Sequence, residues 1–222
     1  FIKSLGVDDG EINCIPNNEE KYIAFSKKIL VDAFTIINKT TGKLEEVKVY
    51  RELRFLDRYN FMGSLLDKLT SNLVDEDRKQ LRSMFSGEKL ELVSRKGVFL
   101  YEWFDGLDKL NATQLPPKEE FWSELNLRHI SDEEYKHAQR VWNAFEMKTF
   151  REYLQLYLET DVDHLVDVFE RFRDVCMSNY GLDPAWYYTA PGFSWDAMLK
   201  ITKLELDPII DPDMLMFFER QV

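Results

Sequence analysis

The chain has 222 residues, is 45% hydrophobic and 14% aromatic, and carries a net charge of −11. That much apolar material suits one large folded domain, or a domain and a fragment, and argues against a disordered chain. The acidic balance excludes a broad surface that grips nucleic acid nonspecifically, while leaving room for a narrow site.

The only cysteines are Cys14 and Cys176, far apart in sequence. They form neither a disulfide framework nor a metal-ligand pattern, which suits a reducing, intracellular compartment. Every apolar run is too short for a signal peptide or a membrane span, so no membrane partner is expected. The chain opens on Phe1 and stops at "FFERQV". Both ends look cut, and we expect a piece of a longer polypeptide.

In chain order, "YIAFSKKILVDAFTIIN" and "KLEEVKVYRELRFLDRY" carry β signals and flank "KTTGK". They read as a hairpin turning at Thr41 and Gly42. A helix is expected over 64–73, with Leu65, Leu66, Leu69 and Leu73 at helical spacing, and a second short helix in "VDEDRKQLRSMF". Residues 95–110 read as irregular and partly extended. Pro116 and Pro117 mark a loop. Ser131 with Glu134, and Thr149 with Glu152, have capping-box spacing. One long helix, or two collinear ones, is expected from about 150 to 179, with Gly181 as its stop. Short helices follow. The fold class expected is α+β with a helix-rich C-terminal half.

Within the long helix, a wheel of about 100° per residue places Leu158, Val162, Leu165, Phe169, Phe172 and Cys176 on one apolar stripe. Asp163, Asp167, Glu170 and Asp174 fall opposite and read as a solvated face. Asp161 sits at the edge of the stripe, and Tyr157 lies one turn earlier on the same flank. A carboxylate there needs a positive partner. The ordinary reading is an ion pair with a lysine or arginine; the chemical reading is a metal ligand, since magnesium and manganese take carboxylate oxygens.

"YLETD" has the Y-x-x-x-D spacing of the third exonuclease motif of family B DNA polymerases. With "FLDRYNFMGSLLDKLTSNL", "FSGEKLELVSRKGVFLYEWF" and "YYTAPGFSWDAMLKIT" in that order, the chain resembles the protein-primed branch found in viruses, linear plasmids and Maverick/Polinton-type transposable elements. The resemblance implies a ribonuclease-H-like 3′–5′ proofreading exonuclease domain, partial here, over 1–180. A linker and the entry to the polymerase domain would follow over 181–222. It implies a parent enzyme that copies DNA from a terminal priming protein, with dNTPs, magnesium or manganese, and a single-stranded 3′ end as partners. In a eukaryotic host the nucleus or a viral replication site would be its place.

Carried over by position, Asp161 would be a metal ligand, Tyr157 would position the attacking water, and Lys96 of "KGVFLY" would support catalysis near the scissile phosphate. Ser64 and Leu66 would hold the single-stranded DNA end, although Leu65 stands where the motif's hydroxyl belongs. Each has a plainer alternative: Lys96 as an exposed loop lysine, Leu66 as a core leucine. The first exonuclease motif, with its Asp and Glu ligands, is absent, and the second would fall just before Phe1. "DDGE" and "DPIIDPD" offer no replacement; the latter reads as caps and turns. One carboxylate cannot hold two metals, so the fragment alone is expected to be inactive. A second possibility is a non-catalytic remnant, or a co-opted protein-binding domain derived from a mobile-element polymerase.

No H-E-x-x-H, P-loop or G-x-S-x-G is present, and His129, His137 and His164 have no metal spacing. His164 reads as exposed or partly packed. The aromatic run "AWYYTAPGFSW" reads first as a packed joint and second as a stacking surface for bases.

Overall fold

A computed structural model describes residues 11–17, 21–40, 42–124, 127–207 and 209–219. The chain is mixed α+β and divides into two units, 1–62 with 176–222, and 63–175. The boundary at 180/181 that the resemblance implies falls inside the first unit.

In the first unit, β1 (Ile12–Pro16), β2 (Tyr22–Ile37) and β3 (Leu44–Leu56) form an antiparallel sheet in the order β1-β2-β3. The expected hairpin is β2–β3, in register from Ala24 opposite Leu56 to Ile37 opposite Leu44, with an irregularity between Leu30 and Asp32. Its turn closes through Gly42 N–H on the Asn38 carbonyl at 2.7 Å. Gly42 has φ +69°, a conformation that favours glycine. Thr41, the other expected turn residue, lies outside the described residues.

The rest of this unit follows Gly181, whose φ of +61° and N–H bond to Met177 O at 2.9 Å end the long helix where expected. A 3-10 turn, Pro184–Trp186, leads to a helix at Ala190–Thr202 that buries Phe193 and Ala197. A last helix spans Pro212–Glu219, its start capped by Asp211 Oδ1, which accepts from Asp213 N–H at 2.8 Å. Within "DPIIDPD", Asp211 is thus a cap, as expected. Cys14 is exposed and Cys176 buried, both as free thiols. Among the described residues no helix is long and apolar enough to cross a membrane.

In the second unit, α1 (Leu66–Thr70) begins two residues later than the spacing suggests. Then come α2 (Lys79–Met84), α3 (Gly87–Val93) and α4 (Asp132–Ala144). The long helix α5 runs unbroken over Phe150–Tyr180. The Ser131–Glu134 capping box forms as expected, with bonds of 2.7 and 3.1 Å. At α5 the Glu152 carboxylate instead accepts from Lys148 N–H at 2.6 Å, one residue before Thr149. Leu81, Leu100, Phe121 and Phe150 form the centre of the core.

The phase of α5 differs from the wheel. Its buried positions are Phe150, Tyr153, Leu156, Tyr157, Thr160, Asp163, His164, Asp167, Val168 and Cys176; of the expected stripe, Cys176 is thus buried, and Phe169 and Phe172 are half-buried. Leu158 and Val162 are 54% and 58% exposed. The reason is a tertiary cap. The first turn of α2 leaves amides without intrahelical partners, and its own N-cap residue, Arg78, makes no side-chain cap bond. Asp167 supplies the missing acceptor: Oδ1 takes Gln80 N–H at 2.7 Å and Oδ2 takes Leu81 N–H at 3.3 Å. A carboxylate at a helix N-terminus is also favoured by the macrodipole. Asp163 and Asp167 are therefore interior residues and not a solvated face. His164, expected near the surface, is wholly buried.

Candidate functional site

The segment after α3 passes beside α5 and is fastened to it by two tyrosines one turn apart on the helix. Tyr153 donates its hydroxyl to the Val98 carbonyl at 2.6 Å. The Tyr157 ring stacks on Phe99, centroids 4.8 Å apart, and its hydroxyl is 2.7 Å from that of Tyr101. The close passage depends on Gly97: a Cβ there would lie 3.1 Å from Tyr157 Cδ2.

This passage sets Lys96 against Asp161. Lys96 Nζ is 3.4 Å from Asp161 Oδ1, and the two side chains are 28% and 32% exposed. Oδ1 itself is shielded from water and has no hydrogen bond. The contact is thus a charge pairing without hydrogen-bond geometry. Asp161, Tyr157 and Lys96, which span 65 positions of sequence, meet at one place.

Tyr157 is held far into its neutral form. Burial is the main cause, followed by the Tyr101 hydroxyl and the Asp161 charge. Its hydroxyl therefore stays protonated and remains a hydrogen-bonding group. Around the site, burial lowers His164 against the opposing pull of the Arg95 and Val93 backbone. Burial, then Arg95 and Arg140, push His137 down to about 4. Asp163 is raised by burial and by Asp167, against a hydrogen bond from Gln80.

Beside the pair lies a cleft of about 460 Å³ whose lining includes Asp67, Lys96, Phe99, Tyr101, Arg128 and His129. Arg128 and His129 reach it from a short two-stranded ladder in which Trp122 faces His129 and Ser123 faces Arg128. Leu66 is buried and Ser64 half-buried. Asp67, which follows Leu66, borders the same cleft as Lys96. Leu66 is thus a core residue in this conformation, and Leu65, at the motif's hydroxyl position, is exposed.

As a metal site the arrangement is incomplete. Asp161 Oδ1 is an oxygen with unfilled hydrogen-bonding capacity, which suits a cation. Among the described residues, however, no three His, Cys, Asp or Glu side chains come together to hold one. Two residues escaped the sequence reading. Tyr101 had a faint signal, since Phe99 and Tyr101 alternate in an extended segment. Asp167 had none, because its role depends on a helix that begins 88 positions earlier.

Comparison with protein-family models, with curated proteins and with solved structures gives no match.

Proposed function

We propose that this chain is part of a protein-primed family B DNA polymerase, covering the later portion of a ribonuclease-H-like 3′–5′ proofreading exonuclease domain and the entry to the polymerase domain. The observation that carries the reading is the convergence of Asp161, Tyr157 and Lys96. The motif resemblance picks out these three residues separately, and the ion pair of 3.4 Å joins two of them directly. Tyr157 lies one helical turn from Asp161 on the same flank.

In this reading magnesium or manganese, held by Asp161 together with carboxylates of the two absent motifs, would supply Lewis-acid activation of water and phosphate. Tyr157, neutral and fixed by Phe99 and Tyr101, orients that water. Lys96 offsets negative charge next to Asp161. A single-stranded 3′ end occupies the cleft bordered by Lys96, Phe99 and Tyr101, with Ser64 and Leu66 near its Asp67 side. Among the described residues the carboxylates do not fill a two-metal site, so no hydrolytic step is assigned to this chain in isolation.

The test is the transcript sequenced through both sides of the segment. If the reading frame continues into the two carboxylate motifs and a palm domain, the longer protein is assayed on an end-labelled oligonucleotide. Asp161→Ala then lowers 3′ nucleotide removal by at least about a hundredfold and leaves nucleotide addition intact. Undiminished 3′ removal by Asp161→Ala would refute the assignment.

A second reading has one observation in its favour. The Lys96–Asp161 pair already gives Asp161 the positive partner that a stripe-edge carboxylate needs. A non-catalytic remnant or co-opted binding domain needs nothing more. A reading frame that starts near Phe1 and stops near Val222 favours this second reading.

A further inference from the structure

The aromatic run after α5 forms the expected packed joint only in part: Phe193 is buried and meets Tyr180 of α5 edge-on at 5.7 Å, while other rings of the run stay exposed. Tyr187 turns inward: its ring meets Phe193 edge-on at 5.3 Å and its hydroxyl donates to Asp196 at 3.0 Å. Its two neighbours turn outward, with Trp186 74% and Tyr188 44% exposed. The turn that presents them is fixed, because Asp183 Oδ1 accepts Ala185 N–H at 3.0 Å, and Trp186 and Tyr187 N–H bond back to the Asp183 and Pro184 carbonyls.

Arg54 of β3 stands over both rings. Its guanidinium carbon is 4.8 Å from the Tyr188 centroid and 5.8 Å from that of Trp186. Nη1 and Nη2 point to the Ala185 and Trp186 carbonyls at 3.4 Å. Arginine has five N–H donors, so about three remain for a ligand. Side chains alternate along a strand, so Tyr50 and Lys48 share the face of β3 that carries Arg54. Both are exposed. The face is not uniformly basic. Glu46 and Glu52 also lie on it, with Glu52 accepting from Ser26, while Lys28 is paired with Glu11.

A held arginine flanked by exposed aromatic rings is the combination that binds single strands with little regard to sequence: a ring offers a stacking surface to any base and the guanidinium meets phosphate. We propose that Trp186, Tyr188 and Arg54 form a binding site for single-stranded nucleic acid, with a base on the exposed indole, a phosphate on Arg54, and Tyr50 and Lys48 continuing the track along β3. With acidic residues on the same face, stacking carries most of the affinity and the salt dependence is shallow. The site uses none of the residues around Asp161, so it stands whether or not the exonuclease reading holds.

The test is fluorescence anisotropy of labelled oligo-dT, oligo-rU and a short duplex titrated with the full 222-residue chain, at several salt concentrations. Trp186→Ala weakens single-strand binding by roughly five-fold to a hundred-fold, and Trp186→Phe restores most of it. Arg54→Ala lowers the slope of log K against log salt by about 0.7. Trp186 and Arg54 do not line the cleft beside Lys96, so losses in these two variants separate this site from the one proposed above. Oligo-dT and oligo-rU show whether DNA or RNA is the source; losses of this kind on either sustain the proposal. It is overturned if no single strand binds, if the duplex binds as well, or if Trp186→Ala binds like the parent chain. Circular dichroism identical to that of the parent chain verifies that each variant is folded.

Discussion

The phase of α5 can be decided by a pair of substitutions for which the two alternatives give opposite answers. In the structure Asp167 is interior and accepts two backbone N–H groups of α2. Replacing it with alanine removes a charged acceptor from both and leaves Leu81 N–H, which is buried, without a partner. A hydrogen bond to a charged group contributes about 1.5–3 kcal/mol, and an orphaned buried donor costs about 1–3 kcal/mol. The two amides share one carboxylate, and the bond to Leu81 is long at 3.3 Å. A loss of about 3 kcal/mol is therefore expected for Asp167→Ala. Leu158→Ser is the converse: a residue 54% exposed should change stability by no more than about 0.5 kcal/mol. If the apolar stripe were the buried face, Asp167→Ala would be neutral and Leu158→Ser would cost about 2–5 kcal/mol as a core truncation. Urea unfolding followed by circular dichroism and tryptophan fluorescence measures both. With a slope of about 3 kcal/mol per molar urea, Asp167→Ala lowers the midpoint by about 1 M. A shift below about 0.2 M, or a larger loss in Leu158→Ser than in Asp167→Ala, would show the tertiary cap to be wrong.

Two further outcomes follow from the same region. Gly97→Ala places a methyl group 3.1 Å from the Tyr157 ring and is expected to cost about 1–3 kcal/mol in urea unfolding. The cost should shrink in a Tyr157→Leu background, and equal costs in both backgrounds would contradict the close approach. His137 is neutral in the folded chain, pushed down from 6.5 to about 4. The unfolded chain therefore binds more protons between these values, and stability is full above about pH 6.5 and falls as the pH drops towards 4. His137→Gln should flatten that fall relative to the parent chain, with Asp163 and His164 common to both. Parallel pH profiles of urea midpoint would refute it.

Much of the local structure was legible because it is written in local chemistry. The β2–β3 hairpin, the Ser131–Glu134 box, the single helix ending at Gly181 and the cap at Asp211 each depend on residues within a few positions of one another. Asp161 was also placed correctly at the edge of a buried face, although that face was misassigned at Leu158, Val162 and Leu165; Cys176 is buried, Phe169 and Phe172 are half-buried, and Glu170 and Asp174 are exposed, as the wheel has them. The wheel counted Leu158 and Val162 as interior because they are apolar, and Asp163 and Asp167 as exterior because they are charged. That weighting fails where a charged group has a specific interior task, as Asp167 has at the start of α2. The partner of Asp161 was beyond reach for a similar reason. Lys96 meets it only because Gly97 lets the chain run against the Tyr157 ring, a contact set by packing across 60 positions.

The β2–β3 ribbon has a consequence for how copies of this chain behave in concentrated solution. The β1 ladder pairs as far as Lys27, Lys28 N–H still donates to the Glu11 carbonyl at 3.1 Å, and among the described residues no strand pairs with the remainder of β2 on that side. Ile29, Phe34, Ile36 and Ile37 sit exposed along this stretch. Such a border is a template for another extended chain, and unprotected ones seed aggregation. The irregularity between Leu30 and Asp32 interrupts it, twisting the strand and breaking the run of matched donors and acceptors. Asp32 beyond it puts a charge within the apolar run, and Glu45, Glu46 and Lys48 do the same on β3. The inserted residue at Val31 thus breaks the match of donors and acceptors that an added strand would need, and does so by its position in the ladder and not by its side chain.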